Sequence, residues 1–226
     1  MIPKVIHCFW FSGERKTPLA ERCMASWRKF EPDWEIREWN VEDLRRVFRP
    51  PKFFDDAIKM RKWAFASDWA RFAVIAEMGG VYLDVDVELV APMDGIVERG
   101  PFFALSSNSP AWVDPGLGFA AERGDAVCAA IAKRYEAMRF DPACHLSQTA
   151  PAVANDVLKA FPEMRRLPAS VFNPKGGVAG RVRLLPETVG IHHYAASWFN
   201  WKQRLVYIWC PKIRNCAMRL VGRRND

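Results

Sequence analysis

The sequence predicts an α/β domain with a mainly parallel sheet. Strand-like and helix-like hydrophobic patterns alternate along the chain. Several predicted helices begin at a Thr, Asn or Asp of the kind that caps helix N-termini. With 226 residues, half of them hydrophobic, the chain suits one domain with a substantial core. We assign this domain to residues 1–200 and treat 201–226 as a separate C-terminal segment.

The first half of the chain predicts two strands and four helices. Thr17 followed by Pro18 is a typical helix start, because Pro is tolerated at the first helical position. Asn40 precedes a helix whose first turn is acidic, as the helix dipole favours. The predicted elements are the strands Val5–Phe11 and Trp34–Trp39, a helix from Pro18 to about Phe30, a helix after Asn40 that Pro50 and Pro51 end, and the helices Asp55–Met60 and Lys62–Met78.

The stretch from Gly79 to Val90 is the most informative part of the chain. Gly79 lies where a left-handed helix cap is expected, with the apolar face of Trp69, Phe72, Ala73 and Ala76 on the helix before it. Apolar residues then alternate with a period of two on both sides of Asp84-Val85-Asp86. This pattern predicts a buried strand, an acidic turn and a second strand.

The second half of the chain continues the alternation of strands and helices. Asp125 is predicted to cap a helix that reaches about Arg139. The other predicted elements are the strands Pro101–Ser106 and Gly116–Ala121 with a polar loop between them, a helix over Ala150–Phe161, and the strands Val182–Leu185 and Gly190–His193.

Composition excludes several classes of protein. No apolar run is long enough to cross a bilayer, and the N-terminus lacks the pattern of a signal peptide. The six cysteines are scattered, without zinc-type spacing, which favours reduced thiols in a cytoplasmic protein. The net charge of +7 comes mainly from seven Lys and Arg after Trp201, opposed there by Asp226 alone. Charge confined to one segment argues against a nucleic-acid-binding protein.

Asp84 and Asp86 predict a metal site at the end of a strand. Two carboxylates this close in an apolar setting repel each other and lose hydration unless a positive charge lies between them. A divalent cation, completed by substrate phosphate oxygens, is the simplest such partner. The alternative is a solvated turn, since Asp-x-Asp by itself is common. The preceding helix and strand favour the metal site, because open α/β sheets bind ligands where strands end.

Four sequence islands together resemble the family 32 glycosyltransferases, which use sugar nucleotides and carry an Asp-x-Asp motif. Large clostridial glucosylating toxins resemble the chain more distantly. The resemblance covers Ile2–Val90 and returns at Gly190–Trp198. The islands are Ile6-His7-Cys8-Phe9-Trp10, Ser67-Asp68-Trp69-Ala70-Arg71, Asp84-Val85-Asp86, and His192-His193-Tyr194-Ala195-Ala196-Ser197-Trp198.

This resemblance implies a GT-A fold and a metal-dependent, retaining glycosyltransferase that uses a UDP-sugar and Mn²⁺ or Mg²⁺. It implies that Trp10 stacks on uracil, although a core Trp is the alternative. It places Asp68 on sugar or ribose hydroxyls and Arg71 near the diphosphate, against the alternative of an ordinary intrahelical ion pair. His7 is interpreted as a core histidine.

The remaining site assignments also follow from the resemblance. Asp84 would contact ribose and sugar, and Asp86 would be the direct metal ligand, so that both carboxylates are assigned to the metal centre. Tyr82 would reach the donor or serve the structure. Ser197 and Trp198 would close over the diphosphate. Strand alternation sends only one of the two adjacent histidines toward the metal, and we choose His193 over His192.

The chain departs from the family pattern at two places. Asp114-Pro115-Gly116-Leu117-Gly118 stands where many members carry Asn or another polar residue, and Thr149-Ala150-Pro151 stands where many carry Thr-Gly-Pro. These regions shape the sugar and acceptor pockets, so the sugar and the acceptor stay open.

The C-terminal segment mixes aromatic and apolar residues with Lys and Arg, which is the composition of an interfacial helix. The alternative is a terminal helix packed on the domain with a solvated basic face. The expected acceptor is a glycan or a lipid-linked saccharide. If the segment binds an anionic leaflet, the protein lies at the cytoplasmic face of the inner membrane, and a lipid-linked saccharide is then the expected acceptor. Two rival functions are a sugar-nucleotide hydrolase and a non-catalytic module that binds membranes.

Overall fold

The computed structural model describes residues 1–106, 109–175 and 181–195, and the side chains of 109 and 110 are not described. Ser197, Trp198 and the C-terminal segment lie outside the described residues. The strands are β1 (Val5–Phe9), β2 (Glu35–Trp39), β3 (Gly80–Tyr82), β4 (Val87–Leu89), β5 (Phe102–Ser106), β6 (Ser109–Val113), β7 (Phe119–Ala121), β8 (Arg166–Leu167) and β9 (Gly190–His192).

Helices cover much of the rest of the described chain. The α-helices are α1 (Pro18–Phe30), α2 (Val41–Val47), α3 (Lys52–Lys59), α4 (Trp63–Met78), α5 (Asp94–Val97), α6 (Ala126–Glu136) and α7 (Ala150–Val157), with 3₁₀ helices at Pro142–Gln148, Leu158–Ala160 and Ala169–Val171. Three predicted caps are confirmed: Thr17, Asn40 and Asp125 each accept a hydrogen bond from a backbone N–H of the first turn. Among the described residues, no helix is both long and apolar enough to span a bilayer.

The predicted α/β class is confirmed, but the main sheet is mixed rather than mainly parallel. Its order is β2-β1-β3-β7-β5-β6, with β8 paired to β5. The β2-β1-β3 half is parallel, whereas β3-β7, β7-β5 and β5-β6 pair antiparallel. The difference has a simple cause, because the strands of the first half are connected through helices whereas short connections join β5, β6 and β7. A separate two-stranded sheet pairs β4 with β9 in antiparallel register.

Two predicted segments differ from the structure. The polar loop expected between Ser106 and Gly116 contains β6, which pairs with β5 and had no clear alternating pattern. The strand expected at Val182–Leu185 is reduced to one antiparallel bridge between Lys175 and Val182. Both are edge positions, where pairing depends on the neighbouring strand more than on local propensity.

The sheet has a hydrophobic cluster on each face. In β1, Ile6 and Cys8 pack into one cluster and Phe9 into the other, as the period of two requires. Trp27 of α1 belongs to the first cluster, and its indole N–H donates to the carbonyl of Val87 at 2.7 Å. Trp69 of α4 belongs to the second. Both faces of the sheet are therefore covered.

Helix α4 is buried at ten of the eleven positions from Phe65 to Ile75, and Ala73 is the exception. It ends at Gly79, whose φ of +69° is accessible to glycine, and Gly80 follows with φ of +110°. A Cβ on Gly80 would lie 2.8 Å from the carbonyl oxygen of Val5, so the chain enters β3 in contact with β1. The two glycines thus join a central helix directly to the strand that carries the acidic turn.

Candidate active site

The acidic turn lies at one edge of the main sheet. Trp10 follows the end of β1, and Asp84 follows the end of its parallel neighbour β3. Asp84, Val85 and Asp86 connect β3 to β4 in a turn closed by a 2.9 Å bond from the N–H of Val87 to the carbonyl of Asp84. The predicted strand, turn and strand are confirmed, and both carboxylates are delivered to the carboxyl edge of the parallel strands.

Asp86 is paired with His192 of β9. Its Oδ1 lies 3.1 Å from Nε2 of His192, and its Oδ2 accepts a 2.7 Å hydrogen bond from the backbone N–H of Ala195. The pairing follows from the small sheet, because β4 and β9 place Val87 opposite His192 and bring the residue before Val87 beside the ring. His192 Nε2 also lies 3.9 Å from Oδ2 of Asp84.

Asp84 is held by two neighbours from the main domain. The hydroxyl of Tyr82 donates a short hydrogen bond to its Oδ1. The same oxygen lies 3.3 Å from Nη1 of Arg71. The guanidinium of Arg71 lies over the ring of Tyr82, 4.5 Å from its centroid. Strand β3 and helix α4 together fix this carboxylate.

Arg71 and Asp68 share one face of α4, three residues apart, as predicted. Nη2 of Arg71 lies 2.8 Å from Oδ1 of Asp68, and Arg71 also donates to the carbonyl and the hydroxyl of Ser67. Oδ2 of Asp68 accepts a 3.1 Å bond from the N–H of Ala150 at the start of α7. Asp68 is 7% exposed and Arg71 is 3% exposed, so their intrahelical ion pair is part of a buried polar network.

The carboxyl groups of the site have opposite pKa shifts. Burial raises the pKa of Asp68 to about 7, although Arg71 opposes the shift. Burial also acts to raise the pKa of Asp86, but the charge and hydrogen bond of His192 outweigh it and lower that pKa to about 2. The pKa of His192 rises to about 9 because Asp86 and Asp84 outweigh its burial. Asp86 and His192 therefore form a buried charged pair.

The two adjacent histidines diverge as strand alternation requires, but the predicted choice between them is corrected. His192 joins the two aspartates, whereas Nε2 of His193 lies 2.8 Å from Oε2 of Glu88 on the other face of the small sheet. The side chain of Glu88 also lies 3.6 Å from Arg22. The sequence could not decide this choice, because the register between β4 and β9 sets which histidine faces the turn.

Trp10 is half-buried rather than part of the core. Its backbone N–H donates to the carbonyl of Trp39, and its indole N–H donates to the carbonyl of Glu14 at 2.7 Å. The ammonium of Lys16 lies 5.9 Å from the ring centroid. The indole is thus fixed at the same sheet edge as Asp84 by the loop after β1.

Asp114 was not among the predicted site residues, yet it lies beside Asp84. A Cβ on Gly116 would lie 2.7 Å from Oδ2 of Asp84 and 3.3 Å from Oδ1 of Asp114, so only glycine fits between the two carboxylates. Oδ1 of Asp114 accepts a 3.1 Å hydrogen bond from the N–H of Gly116, and burial raises its pKa. The available signal was an acidic residue followed by Pro and Gly, in a stretch that departs from the pattern of the family that the chain resembles.

Asp84, Asp86 and His192 form a group that fits a divalent cation. Each offers one donor atom, and these three atoms lie within 4.8 Å of one another. Within the described residues, the buried Nδ1 of His192 has no hydrogen-bond partner. Converging carboxylates with an imidazole are ligands that divalent metals accept, and a cation would offset the repulsion between the acidic groups.

Comparison with known proteins finds a family model that matches part of the chain. Residues 18–103 match the model described as "Glycosyltransferase sugar-binding region containing DXD motif". The predicted resemblance to glycosyltransferases that carry a DXD motif is confirmed over this part of the chain.

Two curated relatives bear the same class of name. The chain is 26% identical over 111 residues to "Uncharacterized glycosyltransferase L373" of Acanthamoeba polyphaga mimivirus. The alignment covers 46% of this chain and 43% of that protein. The chain is 28% identical over 118 residues to "Inositol phosphoceramide mannosyltransferase 1" of Schizosaccharomyces pombe (strain 972 / ATCC 24843). This alignment covers 48% of this chain and 35% of that protein. The match therefore spans less than half the length of both relatives.

A solved structure supports the fold. The "PaToxG Glycosyltransferase" superposes with a TM-score of 0.54 at 16% identity, covering 71% of this chain and 69% of that chain. At this level of identity the match concerns the fold alone. The predicted glycosyltransferase fold of the GT-A type is thereby confirmed.

Proposed function

We propose that this chain is a metal-dependent, retaining glycosyltransferase that moves a hexose or N-acetylhexosamine from a UDP-sugar to a glycan or lipid-linked acceptor. The observation that carries the proposal is the convergence of Asp84, Asp86 and His192 at the sheet edge where Trp10 and Arg71 also lie. The family model and the names of the relatives support the reaction class.

In this proposal, Asp84, Asp86 and His192 would hold Mn²⁺ or Mg²⁺, and His192 would release the proton of its charged pair with Asp86 when the cation binds. When bound, the cation would neutralise the negative charge that grows on a departing diphosphate. Tyr82 and Arg71 keep Asp84 in place through its Oδ1. Asp86 would be a ligand to the cation, and its Oδ2 is already held by the N–H of Ala195.

Asp68 has a different part from the one that the resemblance suggests. Both of its oxygens already accept hydrogen bonds from the protein, from Arg71 and from the N–H of Ala150. We therefore assign Asp68 first to orienting Arg71, whose charge faces the donor side of the site. A carboxylate oxygen can accept more than one hydrogen bond, so a contact from Asp68 to a sugar hydroxyl is compatible with this role.

The donor would bind with its base on Trp10 and its diphosphate at the metal group, with Ser197 and Trp198 closing over it. The bond between the anomeric carbon and the phosphate oxygen breaks, and a bond to the acceptor oxygen forms on the same face. The acceptor proton passes to the departing phosphate oxygen, so no enzyme base is assigned, and attack on the same face needs no enzyme nucleophile. The charge network of the site serves to stabilise the departing group.

A donor panel tests the proposal. UDP-hexoses and UDP-N-acetylhexosamines, together with a nucleotide-activated mannose suggested by the name of the mannosyltransferase relative, are incubated with Mn²⁺ or EDTA. We expect release of the nucleoside diphosphate from one donor in Mn²⁺ only. Asp86→Asn should lower this rate by about 10² or more, because it weakens a direct ligand and removes the charge of Asp86.

Asp33→Asn is the matched control, since Asp33 is an exposed carboxylate before β2 at the other end of the sheet. Release of free sugar without any added glycan would favour the hydrolase alternative. An Asp86→Asn protein that loses stability but keeps its turnover would favour the non-catalytic module. Failure to bind any donor, with or without metal, would refute the nucleotide role of Trp10.

Membrane association through residues 201–226 is a second part of the proposal. The segment carries the basic excess and many aromatic residues, and each Lys or Arg near an anionic surface contributes about 1 kcal/mol. We expect the full chain to sediment with vesicles containing anionic lipid and a chain lacking 211–226 to remain in the supernatant. Equal binding of both chains would refute a membrane role for that segment, and with it the argument for the inner-membrane face.

A further inference from the structure

The chain makes an unusual turn directly after β9. Tyr194 has φ of +51°, and among the described residues only Arg61 shares a positive φ without being glycine. This region of backbone space is unfavourable for a bulky side chain and is retained where the surroundings enforce it. The turn therefore calls for a reason beyond connecting two segments.

The side chain of Tyr194 packs against His192. The two rings lie 4.1 Å apart between centroids, at 60° to each other in an edge-on contact. The phenol oxygen of Tyr194 accepts a 2.7 Å hydrogen bond from Nδ2 of Asn173. Asn173 is itself buried, and its backbone N–H donates to the carbonyl of Ala169. The tyrosine is anchored at its far end and restricts the rotation of the imidazole.

The same turn also reaches Asp86. The residue after Tyr194 is Ala195, and its N–H donates to Oδ2 of Asp86 at 2.7 Å. Asp86 in turn accepts, through its own carbonyl, the N–H of His193 at 2.9 Å. The turn at Tyr194 thus places the ring of Tyr194 against His192 and the N–H of Ala195 on a carboxylate oxygen of Asp86.

We infer that Tyr194 is a positioning residue that holds His192 and Asp86 in the arrangement a divalent cation requires. The inference rests on the proposed function, since it assumes that these two side chains hold a metal. Substitution of a residue that orients metal ligands without touching the metal typically lowers metal affinity by 10-fold to 100-fold. Tyr194 acts in this way through two contacts, the ring on His192 and the backbone turn that presents Ala195.

Ordinary packing is the competing explanation, because Tyr194 also contacts the hydrophobic cluster that contains Ile6 and Trp27. A residue with a packing role alone would change the melting temperature without changing the Mn²⁺ affinity of the folded protein. Backbone strain next to the ligand pair argues for positioning, since a packing residue after a strand has no need of a left-handed backbone.

Mn²⁺ titration without nucleotide tests the inference. The electron paramagnetic resonance signal of free aqueous Mn²⁺ reports the bound fraction for the full chain and its variants. Tyr194→Gly keeps the turn, because glycine adopts positive φ freely, and removes the ring. Tyr194→Ala removes the ring and keeps the strain. We expect both to bind Mn²⁺ at least 10-fold more weakly than the unaltered chain, with the greater loss in Tyr194→Ala.

Phe161→Ala is the matched control, because Phe161 is another partly buried aromatic residue that packs on the opposite cluster. It should bind Mn²⁺ within about twofold of the unaltered chain. Circular dichroism establishes which variants are folded, and Tyr194→Gly decides the matter if Tyr194→Ala does not fold. Affinities of the folded Tyr194 variants within twofold of the unaltered chain would overturn the inference while leaving the proposed function intact. Absence of Mn²⁺ binding by the unaltered chain would overturn both.

Discussion

Single residues at this site owe their ionisation to their neighbours rather than to burial alone. Asp68 and Asp86 are both buried, yet the pKa of one is about 7 and the pKa of the other about 2. Burial is the dominant influence on the pKa of Asp68, because the charge of Arg71 that opposes it is shared between Asp68 and Asp84. Asp86 has His192 at 3.1 Å and a backbone N–H on its other oxygen. Differences of this kind between the carboxyl groups of one region are typical of functional sites.

His7 is a second buried histidine, but its role is structural, in agreement with the prediction of a core residue. Its Nδ1 accepts the indole N–H of Trp39 at 3.1 Å, so the neutral ring carries its proton on Nε2, which faces the carbonyl of Gly79 at 3.1 Å. Burial lowers its pKa to about 4. Neutral His7 thus links β1, β2 and the end of α4.

The lowered pKa of His7 predicts that the folded chain loses stability in mild acid. The unfolded chain binds a proton at His7 near pH 6.5, whereas the folded chain binds it only near pH 4. The contribution of neutral His7 to the free energy of unfolding is therefore complete above pH 6.5 and falls as the pH drops toward 4. At pH 5 the loss is about 2 kcal/mol relative to pH 7.5. Urea denaturation at the two pH values measures it.

His7→Gln provides the comparison, because an amide can accept from Trp39 and donate to Gly79 without titrating. The difference in pH dependence between the two chains isolates His7 from Asp68 and His192, which titrate in both. Identical pH dependence in the two chains would contradict the assignment of a neutral His7.

At the scale of elements, the junction of α4 and β3 determines where the acidic turn lies. Asp68 and Arg71 on α4 meet Tyr82 and Asp84 only because the chain passes from helix to strand through two glycines. Helix α7 completes the arrangement, because its first N–H binds Asp68. Three elements therefore share one polar network inside an otherwise apolar core.

Gly80→Ala should disturb this junction. The added Cβ would lie 2.8 Å from the carbonyl oxygen of Val5 and 3.1 Å from the ring of His7, at a φ of +110° that alanine rarely adopts. We expect a loss of roughly 1–3 kcal/mol in the free energy of unfolding, from overpacking and strain. Urea denaturation at pH 7.5 measures this loss.

Gly100→Ala is the control for the backbone effect. Gly100 also has positive φ, at +90°, but a Cβ there meets nothing within 4 Å. Gly100→Ala should lower the free energy of unfolding by less than Gly80→Ala does. The difference between the two losses is the contribution of the close contact with β1. Equal losses would show that the contact with Val5 and His7 has no energetic role.

At the scale of the whole molecule, the proposed metal ligands come from two sheets. Asp84 follows a strand of the main sheet, whereas His192 belongs to the small sheet of β4 and β9. A cation bound between them would add a link between these parts. Because a ligand that binds only the folded state stabilises it, metal should raise the stability of the whole domain.

We therefore expect Mn²⁺ to raise the melting temperature of the chain and EDTA to reverse the rise. At a concentration 100 times its dissociation constant, Mn²⁺ would stabilise the folded state by about 2.7 kcal/mol. Asp86→Asn should lose most of this shift and Asp33→Asn should keep it. An equal shift in both variants would indicate that Mn²⁺ binds elsewhere.

The sequence alone was sufficient for features that local chemistry controls. Helix starts at Thr17, Asn40 and Asp125 follow from side-chain caps, and the acidic turn follows from Gly79-Gly80 and a period of two. The class of protein also followed, because motif residues and their order are sequence properties. The caps and the turn need contacts only between residues a few positions apart.

Only the tertiary structure decided features that depend on pairing between distant segments. The antiparallel half of the sheet, the choice of His192 over His193, and the place of Asp114 beside Asp84 all depend on registers between strands far apart in the chain. A shift of one residue in such a register exchanges the faces of a strand. The left-handed turn at Tyr194 is of the same kind, since the energy that maintains it comes from partners at Asn173, His192 and Asp86.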